Sequence, residues 1–205
     1  YACSRKAKTY INDFITFEEL SQKLSKTIYT DETAEEYKLL PKPARDAIKD
    51  RGGFVAGTLR NGRRRIDDVV SRSMLTQDVD FADSSFLDTY EMFYPYKSML
   101  YSTHSHTKEA PRYRIVTPLT RDVTPEEYVA VSRYIACELG IDYYDECSFL
   151  PNQMMYMPTT PSDGEYVFKE LDGAVLNPDD ILKAHPEWRD VSTLPMSKKE
   201  KEIKL

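Results

Sequence analysis

The stretch SMLTQDVDFAD, residues 73–83, decides how the rest of the chain reads. It has the apolar residues of a buried strand, Leu75, Val79 and Phe81, yet it sets Asp78 and Asp80 two positions apart among them. In a strand, residues i and i+2 point to one face, so the two carboxylates stand side by side, about 6.6 Å apart along the chain. Val79 and Phe81 face the other way and anchor the strand in a core. One reading makes Thr76, Asp78 and Asp80 the wet face of an amphipathic strand. The other makes the two aspartates ligands for a pair of divalent ions roughly 3.5–4 Å apart. Aspartate is depleted in strands, and like charges on one face repel unless a cation sits between them. A calcium loop does not fit, because DVDFAD lacks the required glycine and distal glutamate.

The whole chain sets bounds on either reading. At 205 residues it is long enough for one domain with a sizeable core. Apolar residues make up 40% and charged residues 30%, a globular composition. The net charge of −6 excludes a generally basic nucleic-acid binder, so any such binding must use local basic patches or bound metal. Cys3, Cys137 and Cys147 form no CxxC pair, which argues against a zinc knuckle or a disulfide framework and for a reducing, cytoplasmic setting. No apolar run approaches membrane-spanning length, so no membrane partner is expected. The first residue is Tyr and the last nine are SKKEKEIKL; both ends read as cut from something longer, with residues 196–205 as a polar tail or linker.

Along the chain, Thr16 with Glu19 and Thr33 with Glu36 are capping boxes that open helices. Pro41 and Pro43 break the second, with one more turn over Ala44–Asp50. GGFVAGTL (52–59) reads as a strand, Asn61-Gly62 as a hairpin signal, and Phe86–Phe93 as a helix. KSMLYSTHS and YRIVTPL (113–119) read as strands, and Thr124-Pro125-Glu126-Glu127 starts a helix that stops at Gly140. QMMYM (153–157) and EYVFKEL (165–171) are short strands, and Asn177-Pro178 starts a last helix. Strands and helices mix without a βαβ rhythm, so the fold class is α+β.

Two further loci carry chemistry. STHSHTKEAPRYRIV places His104 and His106 at a strand end, followed by Lys108, Arg112 and Arg114. Histidine and arginine beside a carboxylate-held metal suit a triphosphate, because arginine forks onto the outer oxygens. The bland alternative is a surface hairpin with ordinary basic decoration. HSH could also be the metal-binding pair of a rolling-circle nicking enzyme, although Ser105 stands where that pair normally flanks an apolar residue. The third locus is GIDYYDECSFLP, whose Asp145 is a turn residue unless it joins Asp78 and Asp80.

In order, QDVD, STHSHT with APRYRIVTPL, and YYDECSFLPNQMMYMP resemble the archaeo-eukaryotic primase superfamily, in particular the primase-polymerase domains of phage and plasmid replication proteins. The resemblance covers roughly residues 50–160. It implies an RRM-like antiparallel sheet as catalytic core, about residues 71–175, packed with an N-terminal α/β module, about 1–70, in a single domain over 1–195. It implies that Asp78, Asp80 and Asp145 hold two Mg²⁺ or Mn²⁺ ions, that His106 (or, as second choice, His104) contacts the nucleotide's phosphates, and that Lys108, Arg112 and Arg114 help to orient them. Arg63, Arg64, Arg65 and Arg72, with Arg5-Lys6, are candidate contacts to nucleic acid. Gln153 stands where the resemblance leads one to expect arginine. The implied activity is a DNA primase-polymerase using dNTPs or NTPs on a single-stranded DNA template, in a bacterial or phage-infected cell. Because no GxxxxGK[ST] loop occurs, any helicase partner lies outside this chain. The rivals are a rolling-circle nuclease, a non-catalytic single-strand binding module and a plain structural domain.

Overall fold

The computed structural model describes residues 1–204. In chain order the elements are α1 (Phe17–Leu24), β1 (Ile28–Tyr29), α2 (Ala34–Leu39), α3 (Lys42–Lys49), β2 (Gly53–Phe54), β3 (Gly57–Leu59), β4 (Val69–Val79), α4 (Phe86–Phe93), β5 (Ser98–Ser102), β6 (Tyr113–Val123), α5 (Pro125–Leu139), β7 (Met155–Tyr156), β8 (Thr159–Thr160), β9 (Phe168–Leu171), α6 (Pro178–Ala184) and α7 (Lys198–Lys204). The class is α+β, as the mixed pattern of the sequence implies.

The central sheet has five strands in the order β3-β4-β6-β5-β9. β6 pairs antiparallel with both β4 and β5, so those two run parallel, joined through α4, with β6 inserted between them. This is the split β-α-β arrangement. α4 and α5 cover one face, where Leu75, Val79, Leu100 and Ile115 meet Phe86, Tyr90, Tyr128, Val131 and Ile135. The opposite face carries Met74, Met99 and Val116, which pack against Phe17, Leu20 and Leu24 of α1 together with Phe54 and Met155. Both faces are therefore dry over most of β4, and Thr76 and Asp78 are buried rather than solvated. A wet-face strand is excluded at these positions.

Local signals set most element boundaries. Side-chain and backbone bonds of the capping box are both present at Thr16/Glu19, Thr33/Glu36 and Thr124/Glu127. Gly140, at φ 109°, ends α5 in a conformation that side chains rarely adopt. Asn61 and Gly62 both have positive φ, as the NG signal predicts, but the connection from β3 to β4 then runs on through a 3₁₀ turn at Ile66–Asp68 instead of closing a tight hairpin.

Three expectations change. GGFVAGTL is not one strand. β2 pairs with β7 and β3 with β4, and the chain changes partner at Val55–Ala56. Phe81 is 54% exposed, because β4 ends at Val79 and the in-out alternation stops there. Residues 198–204 form a helix instead of a polar tail. Ser197 and Glu200 exchange the bonds of a capping box, and Glu200 pairs with Arg133 of α5 at 2.7 Å.

Arg72 is also reassigned. It is fully buried, with Nε on the Ala56 carbonyl (2.9 Å), one terminal nitrogen on the Pro151 carbonyl (2.7 Å) and the other on Thr76 Oγ1 (2.7 Å). Its guanidinium lies 4.1 Å from the Tyr128 ring centroid. It stitches β4 to the segments that flank it and cannot reach nucleic acid from there. Arg72→Ala leaves buried carbonyls unpaired and should lower the unfolding free energy by about 3 kcal/mol or more in urea titrations. Wild-type stability in that variant would contradict this structural role.

Candidate active site

Cross-strand register builds the site. Asp78 of β4 lies opposite Arg114 of β6, which lies opposite Tyr101 of β5. Arg114 Nε donates to Asp78 Oδ1 at 2.7 Å, and its guanidinium sits 5.8 Å from the Tyr101 ring and 5.6 Å from the Tyr156 ring. One position beyond the strand, Asp80 pairs with Arg112 at 2.6 Å. Arg112 and Arg114 thus repeat the i, i+2 spacing of the two aspartates on the neighbouring strand.

Asp145 arrives by backbone bonds. Its amide donates to the Asp78 carbonyl (2.9 Å), while the Asp78 amide donates to Ser148 Oγ (2.7 Å). The Asp145 carboxylate accepts the Cys147 amide at 2.8 Å and caps the 3₁₀ turn Glu146–Phe149. Burial pushes the Asp80 carboxyl above its ordinary value, and so do Asp78 and, more weakly, Asp145; Arg112 and Arg114 oppose the shift. The Asp80 carboxyl therefore feels the charges of both Asp78 and Asp145. Among the described residues, however, no three His, Cys, Asp or Glu side chains already form a metal cage. Two of the three carboxylates are taken by arginine and the third by its own turn. Partial burial and Asp145 also push the Cys147 thiol up to about 11, so it stays protonated beside the site.

A cavity of about 310 Å³ adjoins Asp80 and Arg112, with Tyr37, Arg45, His104 and His106 also in its wall. The two histidines differ in what they can offer. His104 has Nδ1 on Thr159 Oγ1 and Nε2 on Glu32, both at 2.9 Å, and its ring packs on Tyr37. His106 accepts the Arg112 amide at Nδ1 (3.1 Å), which leaves Nε2 as the proton-bearing nitrogen. Its ring packs on Tyr113.

Residues 1–197 match the VapE N-terminal domain family. The chain belongs to that family. Among curated proteins, none matches this sequence. Among solved structures, this VapE N-terminal domain is similar to the AEP domain (PP-N190) of the cyanophage S-2L primase-polymerase, with 15% identity over 81% of this chain and 94% of that one and a TM-score of 0.48. An overlap that loose carries no argument about chemistry here.

The other expected contacts of this VapE N-terminal domain lie apart from the carboxylates. Lys108 is exposed and pairs with Glu165 at 3.1 Å. Arg63 and Arg65 are exposed, whereas Arg64 is half-buried and donates to the Asn152 carbonyl at 3.1 Å. Sequence reasoning misses Glu32, Tyr37 and Arg45, because the N-terminal segment meets the histidine loop only in three dimensions. It also misses Ser148, although its place three residues after Asp145, within the turn that Asp145 caps, is a usable signal.

Burial holds both imidazoles below their ordinary value of 6.5; at His104 it outweighs the attraction of Glu32, and Lys49 adds to it. The folded state thus binds fewer protons there than the unfolded chain, and stability must fall as pH drops through 6.5 and below. Urea titrations at about pH 7.5 and pH 5.5 should show this loss. A His104→Gln/His106→Gln double variant should show a smaller one. An identical pH slope in both proteins would contradict the assignment.

Proposed function

We propose that this chain is a primase-polymerase: it joins (d)NTPs on a single-stranded DNA template, with residues 1–195 acting as one catalytic domain. What supports this reading is that the Asp145 amide is bonded to the Asp78 carbonyl, and that Asp80, two residues on, shares the wall of a cavity with Arg112 and His106.

The residues fit a divalent metal in chemical type. All three are hard oxygen donors, and Asp78 and, more weakly, Asp145 add to the burial that raises Asp80, a repulsion that a bound cation would relieve. When bound, Mg²⁺ or Mn²⁺ would activate the attacking 3′-hydroxyl and neutralise charge on the leaving pyrophosphate. The remaining work falls to this chain's own groups. Arg112, released from Asp80, forks onto phosphate oxygens, as the paired geometry of guanidinium favours. His106 Nε2 donates to the same triphosphate, and His104 holds the loop through Glu32 and Thr159. Arg114 stays buried between Asp78 and the two tyrosines and fixes the carboxylate's direction. Catalysis is then mostly positioning and charge neutralisation. A helicase partner would be supplied from outside this chain. Among the described residues no helix is long and apolar enough to cross a membrane.

The nicking-enzyme reading fits less well, because both nitrogens of His104 are already engaged. It predicts a covalent phosphotyrosine adduct with single-stranded DNA and no need for nucleotide triphosphates.

Asp78→Asn and Asp80→Asn, each with an unchanged circular dichroism spectrum, should lose about 100-fold or more in nucleotide incorporation on a single-stranded template. His106→Ala should weaken nucleotide use by about tenfold. If both aspartate variants fold and still incorporate nucleotides at the wild-type rate, the proposal fails.

A further inference from the structure

A second cavity is lined by Tyr156, whose ring neighbours the Arg114 guanidinium. Its volume is about 250 Å³, and its wall is Arg5, Lys6, Arg64, Gln153, Met154 and Tyr156. It shares no lining residue with the cavity beside His106. The histidine cavity reaches the carboxylates through Asp80 and Arg112. The basic cavity reaches them through Tyr156, whose ring lies 5.6 Å from the Arg114 guanidinium that holds Asp78.

Charge here runs against the rest of the chain. Asp46 takes Arg5 and Lys49, each at 3.2 Å, and Asp50 takes the Ser4 hydroxyl (2.6 Å) and the Arg5 amide (2.9 Å). Lys6 and Arg64 have no carboxylate partner among the described residues. With Arg5 and Lys49 counted against Asp46 and Asp50, two positive charges remain in excess, in a chain whose net charge is −6. In the cavity wall stands a half-buried tyrosine flanked by cations: Lys49 Nζ is 5.2 Å from its ring centroid, in addition to the Arg114 contact. The backbone that carries the ring is held in place, because Tyr156 belongs to β7 and its carbonyl accepts the Tyr101 hydroxyl at 3.0 Å. An aromatic ring on a fixed strand beside cations without carboxylate partners is an arrangement that binds single strands without regard to sequence, with the ring stacking a base and the cations tracking the phosphates.

The geometry points to this cavity as the single-strand entry of the site: Tyr156 stacks one base, and Lys6 and Arg64 contact its flanking phosphates. This inference rests on the primase-polymerase reading for the identity of the strand, but its binding chemistry needs no metal. Strand approach from this side leaves the histidine cavity free for the triphosphate.

The test is fluorescence anisotropy of a labelled 20-mer of thymidylate in EDTA, at two salt concentrations. Wild type should bind. Lys6→Ala/Arg64→Ala should weaken binding about tenfold and reduce the magnitude of the salt slope by about 1.4, the share of two phosphate contacts. Tyr156→Ala should weaken it at least about fivefold, and Tyr156→Phe should retain it. Thermal melts accompany each variant; the surface double variant carries the test if Tyr156→Ala is unstable. No binding by wild type, or wild-type binding by Lys6→Ala/Arg64→Ala, overturns the inference. Should those variants bind normally while the wild type still makes DNA, only the strand path is wrong. Should they bind weakly while the wild type makes no DNA, the path stands and the polymerase reading fails.

Discussion

A carboxylate at the buried end of a strand is costly unless something cationic or hydrogen-bonding meets it. Asp78 is in that position, and its three polar groups tie three parts of the chain together. Its side chain takes Arg114 from the neighbouring strand, its amide donates to Ser148 Oγ, and its carbonyl receives the Asp145 amide. The first bond locks the register of β4 on β6. The other two dock the 145–149 turn against the strand end, and the buried Tyr128 hydroxyl reinforces them by donating to the Thr76 and Ser148 carbonyls. Without this knot, the acidic loci of the sequence have no reason to be neighbours.

The second consequence concerns charge. Asp78 and Asp80 each have an arginine partner, Arg114 in β6 and Arg112 just before it, at the same spacing. Arg114 is enclosed by Tyr101 and Tyr156, and the adjacent carboxylates hold its guanidinium above its ordinary range. The Arg112–Asp80 pair lies closer to solvent and opens onto the histidine cavity. A buried pair of this kind is exchangeable when both partners gain something better: the carboxylate a divalent cation, the guanidinium a phosphate. The inner pair fixes geometry and the outer one is free to change partners, which is why the two arginines are given different roles despite their matching positions.

Much of this fold is legible in the sequence because its signals are local. Threonine followed three residues later by glutamate starts α1, α2 and α5, and the Asn61-Gly62 pair produces the expected positive φ angles. Asp78 and Asp80 stand out because aspartate is so rarely tolerated in a strand. What escapes is set by distant partners. Nothing in GGFVAGTL says that its halves join different sheets, since that follows from β7 arriving beside β2 some hundred residues later. Arg72 reads as a surface charge until its carbonyl partners at Ala56 and Pro151 are known. Phe81 reads as core because alternation is extrapolated past the real strand end. Residues 197–205 read as a linker because of their charge, although Ser197 and Glu200 carry a capping box that marks α7. In the site, the aspartates were findable by type, whereas the division of labour between His104 and His106 depends on Glu32 and Thr159, which only the folded chain brings near.

The central claim is that these carboxylates form a cation site now balanced by arginine. Anomalous diffraction from crystals grown with Mn²⁺ and a non-hydrolysable nucleotide triphosphate tests it most directly. The account predicts manganese peaks at Asp78 and Asp80, with Arg112 moved from Asp80 onto phosphate. Saturating Mn²⁺ with no peak at these residues, and both aspartate–arginine pairs intact, would contradict it.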